Sequence, residues 1–110
     1  MSVRILATDP ASLLRNIYKA IDDRKIVTWQ YDKDGDFTHS AEQWRYKAWF
    51  RPKIETNALV LTIMPPKDIP LSTEVYAIYH GRFIEALLAH FDQQFSYASA
   101  SAIPQVGDMF

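Results

Sequence analysis

Phe83, Ile84, Leu87, Leu88, Phe91 and Phe95 recur at the helical period. No other pattern in the chain limits its fold as much. The stripe predicts a helix over about residues 82–95, and a helix with one apolar face must bury that face against another element. A second stripe lies nearer the start, where Leu13, Leu14, Ile17, Tyr18 and Ile21 fall at i, i+1, i+4, i+5 and i+8. Asp9 is suited to accept a backbone N–H as N-cap, and Pro10 loses no hydrogen bond at the first helical position. The spacing therefore predicts a first helix over residues 10–22.

The segments between and around these helices read as strands. Val3 to Ala7 is a short apolar run. Lys25 to Tyr31 is β-branched and aromatic, with Val27, Trp29 and Tyr31 on one face and Ile26, Thr28 and Gln30 on the other. Asp32-Lys33-Asp34-Gly35-Asp36 ends it with turn chemistry. Ser40-Ala41-Glu42-Gln43 matches a capping box with room for a single helical turn. Tyr46 to Ile54 alternates: Trp49 shares a face with Arg45, Lys47, Arg51 and Lys53, and Tyr46, Ala48 and Phe50 take the other. Pro52 has no ladder donor, so that end belongs at an edge. Glu55-Thr56-Asn57 turns the chain into the apolar strand Ala58 to Met64, and Pro65, Pro66 and Pro70 mark an extended loop. Glu74 to His80 reads as a further strand broken by Gly81, and residues 96–110 read as a tail with partial order.

The resulting order is (β)αββββα. It predicts one α+β domain over residues 1–95, followed by the tail at 96–110. Strands joined by short turns pair antiparallel, and two striped helices need a sheet to cover. The expected architecture is a two-layer sandwich, with an antiparallel sheet of four to five strands covered on one face by both helices.

Size and composition narrow the function. A chain of 110 residues buries about two-thirds of its unfolded surface, enough for one core. With apolar residues at 48%, disorder is excluded. The absence of Cys excludes a disulfide scaffold, a thiol nucleophile, an iron–sulfur site and Cys-ligated zinc. Twelve Lys and Arg against 13 Asp and Glu give a net charge of −1, which argues against a grossly basic nucleic-acid protein but leaves room for a basic patch. The apolar run near Met1 is too short for a signal peptide, and no stretch approaches the roughly 18 residues that span a bilayer. A cytoplasmic protein with no membrane partner is expected.

Two segments carry candidate chemistry. Asp32, Asp34 and Asp36 stand at positions one, three and five of a run that resembles the opening of an EF-hand calcium loop, since calcium wants several oxygens converging from a tight turn. The resemblance covers about five residues. Phe37 stands where that loop needs Gly, Gln43 where it needs a bidentate Glu, and the preceding segment reads as strand rather than helix. A solvated Asp-Gly turn is the ordinary reading, and the three carboxylates are weak metal candidates. The basic strand is the more unusual feature. Arg45, Lys47, Arg51 and Lys53 accompany Trp49 with no acid among them, and Trp29 and Tyr31 widen the platform if they project from the same outer face. Such a face suits a protein partner, because Trp, Tyr and Arg dominate binding hot spots. It also suits single-stranded nucleic acid, where bases stack on rings and cations meet phosphates.

Enzymatic constellations are nearly absent. His39, His80 and His90 form no His-x-His or His-x₃-His pair, and there is neither a phosphate-binding Gly loop nor a Gly-x-Ser-x-Gly elbow. His80 and Arg82 flank Gly81 at an expected strand-to-helix junction, which could hold an anion. No cofactor is expected. The sequence favours a small interaction module of the adaptor, chaperone or inhibitor type, binding a protein or a second copy of itself through Trp29, Arg45, Lys47, Trp49 and Arg51. A single-stranded nucleic-acid-binding domain is the alternative, and a weak calcium- or anion-binding domain comes third.

Overall fold

Asp9 caps the first helix as its chemistry requires, its carboxylate accepting the Ser12 N–H at 3.0 Å with Pro10 in the first turn. The structure, a computed structural model, describes residues 3–102. In chain order the elements are β1 (Val3–Leu6), α1 (Pro10–Asp22), β2 (Trp29–Tyr31), β3 (Phe37–His39), β4 (Trp49–Glu55), β5 (Ala58–Met64), α2 (Thr73–Phe91) and β6 (Tyr97–Ala100). The chain is α+β, with a six-stranded antiparallel sheet in the order β2-β3-β4-β5-β1-β6 and two helices.

The register decides which residues meet. Val3 lies opposite Leu61, Ile5 opposite Leu59, Phe50 opposite Ile63 and Phe37 opposite Phe50. These residues are buried in one cluster with Leu13 and Ile17 of α1 and with Tyr79, Phe83, Leu87 and Phe91 of α2. Phe83 is its aromatic hub, with ring centroids 4.9 Å from Trp29 and 5.4 Å from both Phe37 and Phe50. Edge-on and tilted contacts of this kind add about 0.5–1.5 kcal/mol per pair beyond burial. Because strand side chains alternate, the intervening residues Arg4, Trp49, Arg51, Lys53 and Val60 belong to the opposite face. Val60 is buried there between its cross-strand neighbours Arg4 and Lys53, whose stems are long enough to cover it. β3 meets β4 only at Phe37 and Phe50, so Pro52 sits where β3 has already left and its missing donor costs nothing.

Several sequence expectations are corrected. Glu74 to His80 is not a strand but the first half of α2, which starts at Thr73 with Ser72 as N-cap and ends at Phe91 rather than Phe95. Gly81 does not break it. Val75, Tyr76, Tyr79, His80 and Phe83 already share the helical period, and a glycine in a helix interior costs only about 1 kcal/mol. The strand expected from Lys25 shortens to Trp29–Tyr31, because Arg24 takes φ 60° and the Lys25 and Ile26 N–H groups bond back to Ala20 O at 2.9 and 3.1 Å. Phe37–His39 is a strand in a stretch to which the sequence pattern assigns no element. Residues 41–47 form consecutive turns, and β4 begins only at Trp49, so Arg45 and Lys47 lie in the loop before it. Tyr97–Ala100 pairs with β1 as a sixth strand, inside the segment expected to be a tail; the part of that tail at 103–110 lies outside the described residues.

Candidate functional site

The loop of residues 40–48 is built from below by two buried hydroxyls. Thr38 Oγ1 donates to Ala48 O at 2.9 Å and accepts the Tyr46 N–H at 3.1 Å. Tyr79 Oη reaches up from α2, donates to Trp44 O and lies 3.0 Å from Thr38 Oγ1. His39 Nδ1 accepts the Ala41 N–H at 3.1 Å, which places the ring proton on Nε2. Nε2 is buried with no hydrogen-bond partner among the described residues, and the Trp29 ring lies edge-on at 5.1 Å. Burial, then the positive charge of Arg82, hold the His39 pKa below the ordinary histidine range, with Glu85 opposing weakly. A neutral His39 therefore belongs to the loop's foundation.

These anchors set Tyr46 in the left-handed region at φ 61°, an uncommon state for a residue other than glycine. Tyr46 is 56% exposed, and its ring stacks on the half-buried Trp49, with centroids 6.4 Å apart and planes at 17°. Arg45 Cζ lies 5.2 Å from the centre of the Tyr46 ring. Arg45 and Trp49, two of the residues singled out from sequence, thus flank the Tyr46 ring, and a third, Lys47, follows it in the same loop. Tyr46 was assigned by alternation to the opposite face. That rule fails because the chain is not a strand at 46, and a positive φ at a Tyr has no sequence signature.

The two remaining members of the expected surface go elsewhere. Trp29 is 3% exposed and packs among Phe50, Tyr79 and Phe83 in the core, so it is not a surface contact. Arg51 is on the same face as Trp49, but it is engaged within the molecule. Its Nε and Nη2 donate to the two oxygens of Asp36 at 3.0 and 2.7 Å, with the Asp36 side chain 4% exposed. This fork raises the Arg51 pKa above its ordinary value. Arg4 likewise donates to Glu55 at 2.9 Å.

Asp32, Asp34 and Asp36 each offer a carboxylate oxygen within 4.8 Å of the others. Asp32 Oδ1 accepts the Asp34 and Asp36 N–H groups at 3.0 Å each, closing the turn. Gly35 takes φ 83°, and its carbonyl accepts the Tyr18 hydroxyl at 2.7 Å. Both Asp36 oxygens are engaged by Arg51, so a cation would have to displace a guanidinium to gather all three carboxylates. His80 and Arg82 are not at a strand-to-helix junction. They lie within α2, where His80 is buried, donates through Nδ1 to Tyr76 O at 2.7 Å and stacks on Tyr76 at 3.9 Å, while Arg82 is exposed. No helix N-terminus adjoins them, which removes the basis of the expected anion site. Among the described residues no helix is long and apolar enough to cross a membrane.

Comparison with models of protein families, with curated proteins and with solved structures returns no match.

Proposed function

We propose that this chain is a protein-interaction module whose contact surface is the corner formed by Arg45, Tyr46, Lys47 and Trp49. The reading takes the fold as two layers, with the helices on one face of the sheet and the start of β4 presenting the other. The observation that carries it is exposed Tyr46, held at a positive φ by Thr38, stacked on Trp49 and covered by Arg45, with Lys47 next in the same loop. An uncommon backbone state that displays an aromatic ring toward solvent costs stability and so points to use at that surface. Rigid aromatics flanked by cations are the side chains that anchor interfaces at low entropic cost.

The same residues could serve a single strand of nucleic acid, but two features favour protein. The Tyr46 ring is already engaged by Trp49 and by Arg45, which leaves it poorly placed to stack bases. The exposed Asp32 and Asp34 carboxylates lie near Arg51 and repel a phosphate backbone.

The test is capture from a host-cell extract on the immobilised chain, with and without nuclease, beside Tyr46→Ala and Trp49→Ala. The expected result is a protein retained after nuclease and reduced about tenfold or more by either substitution. Retention that disappears with nuclease, and falls steeply with salt, would replace this reading with nucleic-acid binding. Equal capture by both variants would remove the corner from the contact surface.

A further inference from the structure

We propose that the groove beside the Tyr46–Trp49 stack docks an acidic peptide segment of a partner protein through one apolar anchor side chain. This deepens the protein-binding reading above and rests on it. The groove has a volume of about 360 Å³, within the range of ligand pockets. Pro66, Ile69, Leu71 and Val75 line it together with Arg45, Lys47 and Tyr46 of the stack. Ile69 is 59% exposed, an apolar side chain left open at the groove.

Charge decides the occupant. Neither Arg45 nor Lys47 forms an ion pair among the described residues, in contrast to Arg4 and Arg51, which are both paired. Two cations beside apolar lining residues complement carboxylates that flank an apolar side chain. Ser72, the N-cap of α2, also lines the groove, so the positive end of the helix adds to the same field. The nearby charged residues Lys67, Asp68 and Glu74 are exposed and do not line it. The walls are preformed. Prolines 65, 66 and 70 restrict the loop, and Pro66 O accepts the Ile69 N–H at 3.2 Å, so little chain entropy is lost on docking.

The test pans a random peptide library displayed on phage against the full chain, then measures an enriched peptide by fluorescence anisotropy. The expected consensus is an aromatic or branched apolar residue flanked by Asp or Glu. Ile69→Glu should weaken binding about tenfold, and Arg45→Ala and Lys47→Ala about three- to tenfold each. A peptide with its acids changed to lysine should bind Arg45→Glu better than the parent chain. No enrichment, or a consensus without acids, overturns the proposal. Binding that Ile69→Glu leaves intact but Trp49→Ala abolishes overturns the groove while preserving the interaction corner. The reverse pattern supports the groove and refutes the stack as a contact. Displacement of the peptide by a labelled thymidine oligonucleotide that binds more tightly overturns the proposal in favour of nucleic acid.

Discussion

Thr38→Val is the sharpest test of how the corner is held. Valine keeps the shape of threonine but removes the hydroxyl that bonds both Ala48 O and Tyr46 N–H. Thr38 is 2% exposed and Ala48 is fully buried, so the Ala48 carbonyl cannot turn to water. The Tyr46 amide is nearer solvent and recovers part of its loss. At about 1 kcal/mol for each net hydrogen bond, with a further desolvation cost at Ala48, the destabilisation is about 2–3 kcal/mol. A urea slope near 1.5 kcal/mol per molar, usual for a domain of this size, turns that into a midpoint lower by about 1.5 M. Thr38→Ser keeps the hydroxyl and loses one methyl, so it should cost about 1 kcal/mol. Amide exchange gives the local readout: the Tyr46 N–H should lose protection in Thr38→Val and keep it in Thr38→Ser. A midpoint within about 0.3 M of the parent, with Tyr46 still protected, would refute the claim that Thr38 holds the loop.

The other expectations concern the groups that flank this anchor. Arg51→Ala strands a nearly buried Asp36 carboxylate without its counter-ion and should cost about 2 kcal/mol in urea unfolding; a cost under about 0.5 kcal/mol would show the pair to be ornamental. His39 should make the fold acid-sensitive. Its folded pKa lies below the unfolded value of about 6.5, so the unfolded chain binds more protons in this window, and stability should drop as the pH falls from about 7.5 to about 5.5. The slope is at most about 1.4 kcal/mol per pH unit for this one group, and His39→Gln should flatten it; an unchanged slope in that variant would assign the acid sensitivity elsewhere. Gly35→Ala would place a Cβ 2.8 Å from Tyr18 Oη at φ 83°, so it should cost about 2 kcal/mol through backbone strain and the lost Tyr18 bond. A neutral effect on the thermal midpoint would mean that the Asp loop yields.

The parts of the fold that could be read in advance are those specified by neighbouring residues. Asp9 and Pro10 define the start of α1 because capping is local chemistry. Ala58 to Met64 is a strand on its own apolar character, and Glu55-Thr56-Asn57 returns the chain to pair with β4. The errors arise where distant contacts override a local sign. Gly81 signals a break, yet burial of Tyr79, Phe83, Leu87 and Phe91 in one core outweighs a helix cost of about 1 kcal/mol. Tyr97–Ala100 has small residues and a weak strand pattern, and it becomes β6 only because β1 offers an open edge from the far end of the chain.

The contact surface shows the same division. Trp29 and Trp49 have equal claims to it by residue type. Face assignment by alternation needs a continuous strand, and the helix end at Arg24 to Ile26 consumes the residues that would have carried the count to Trp29. Trp29 therefore enters the core, while Trp49, inside an intact β4, keeps the face that alternation gave it. Arg45 and Lys47 reach that face by another route, a loop held by Thr38 and Tyr79 rather than a strand. The five-residue acidic turn then divides the basic segment. By taking Arg51 into a fork with Asp36 it neutralises the middle of β4 from within. Arg45 and Lys47 keep no ion pair among the described residues, and they lie beside the proline-containing loop that exposes Ile69. Removing Asp36 should consequently do more than destabilise the fold: it would return a mobile cation to the centre of the face and blur the preference for the Arg45–Lys47 end.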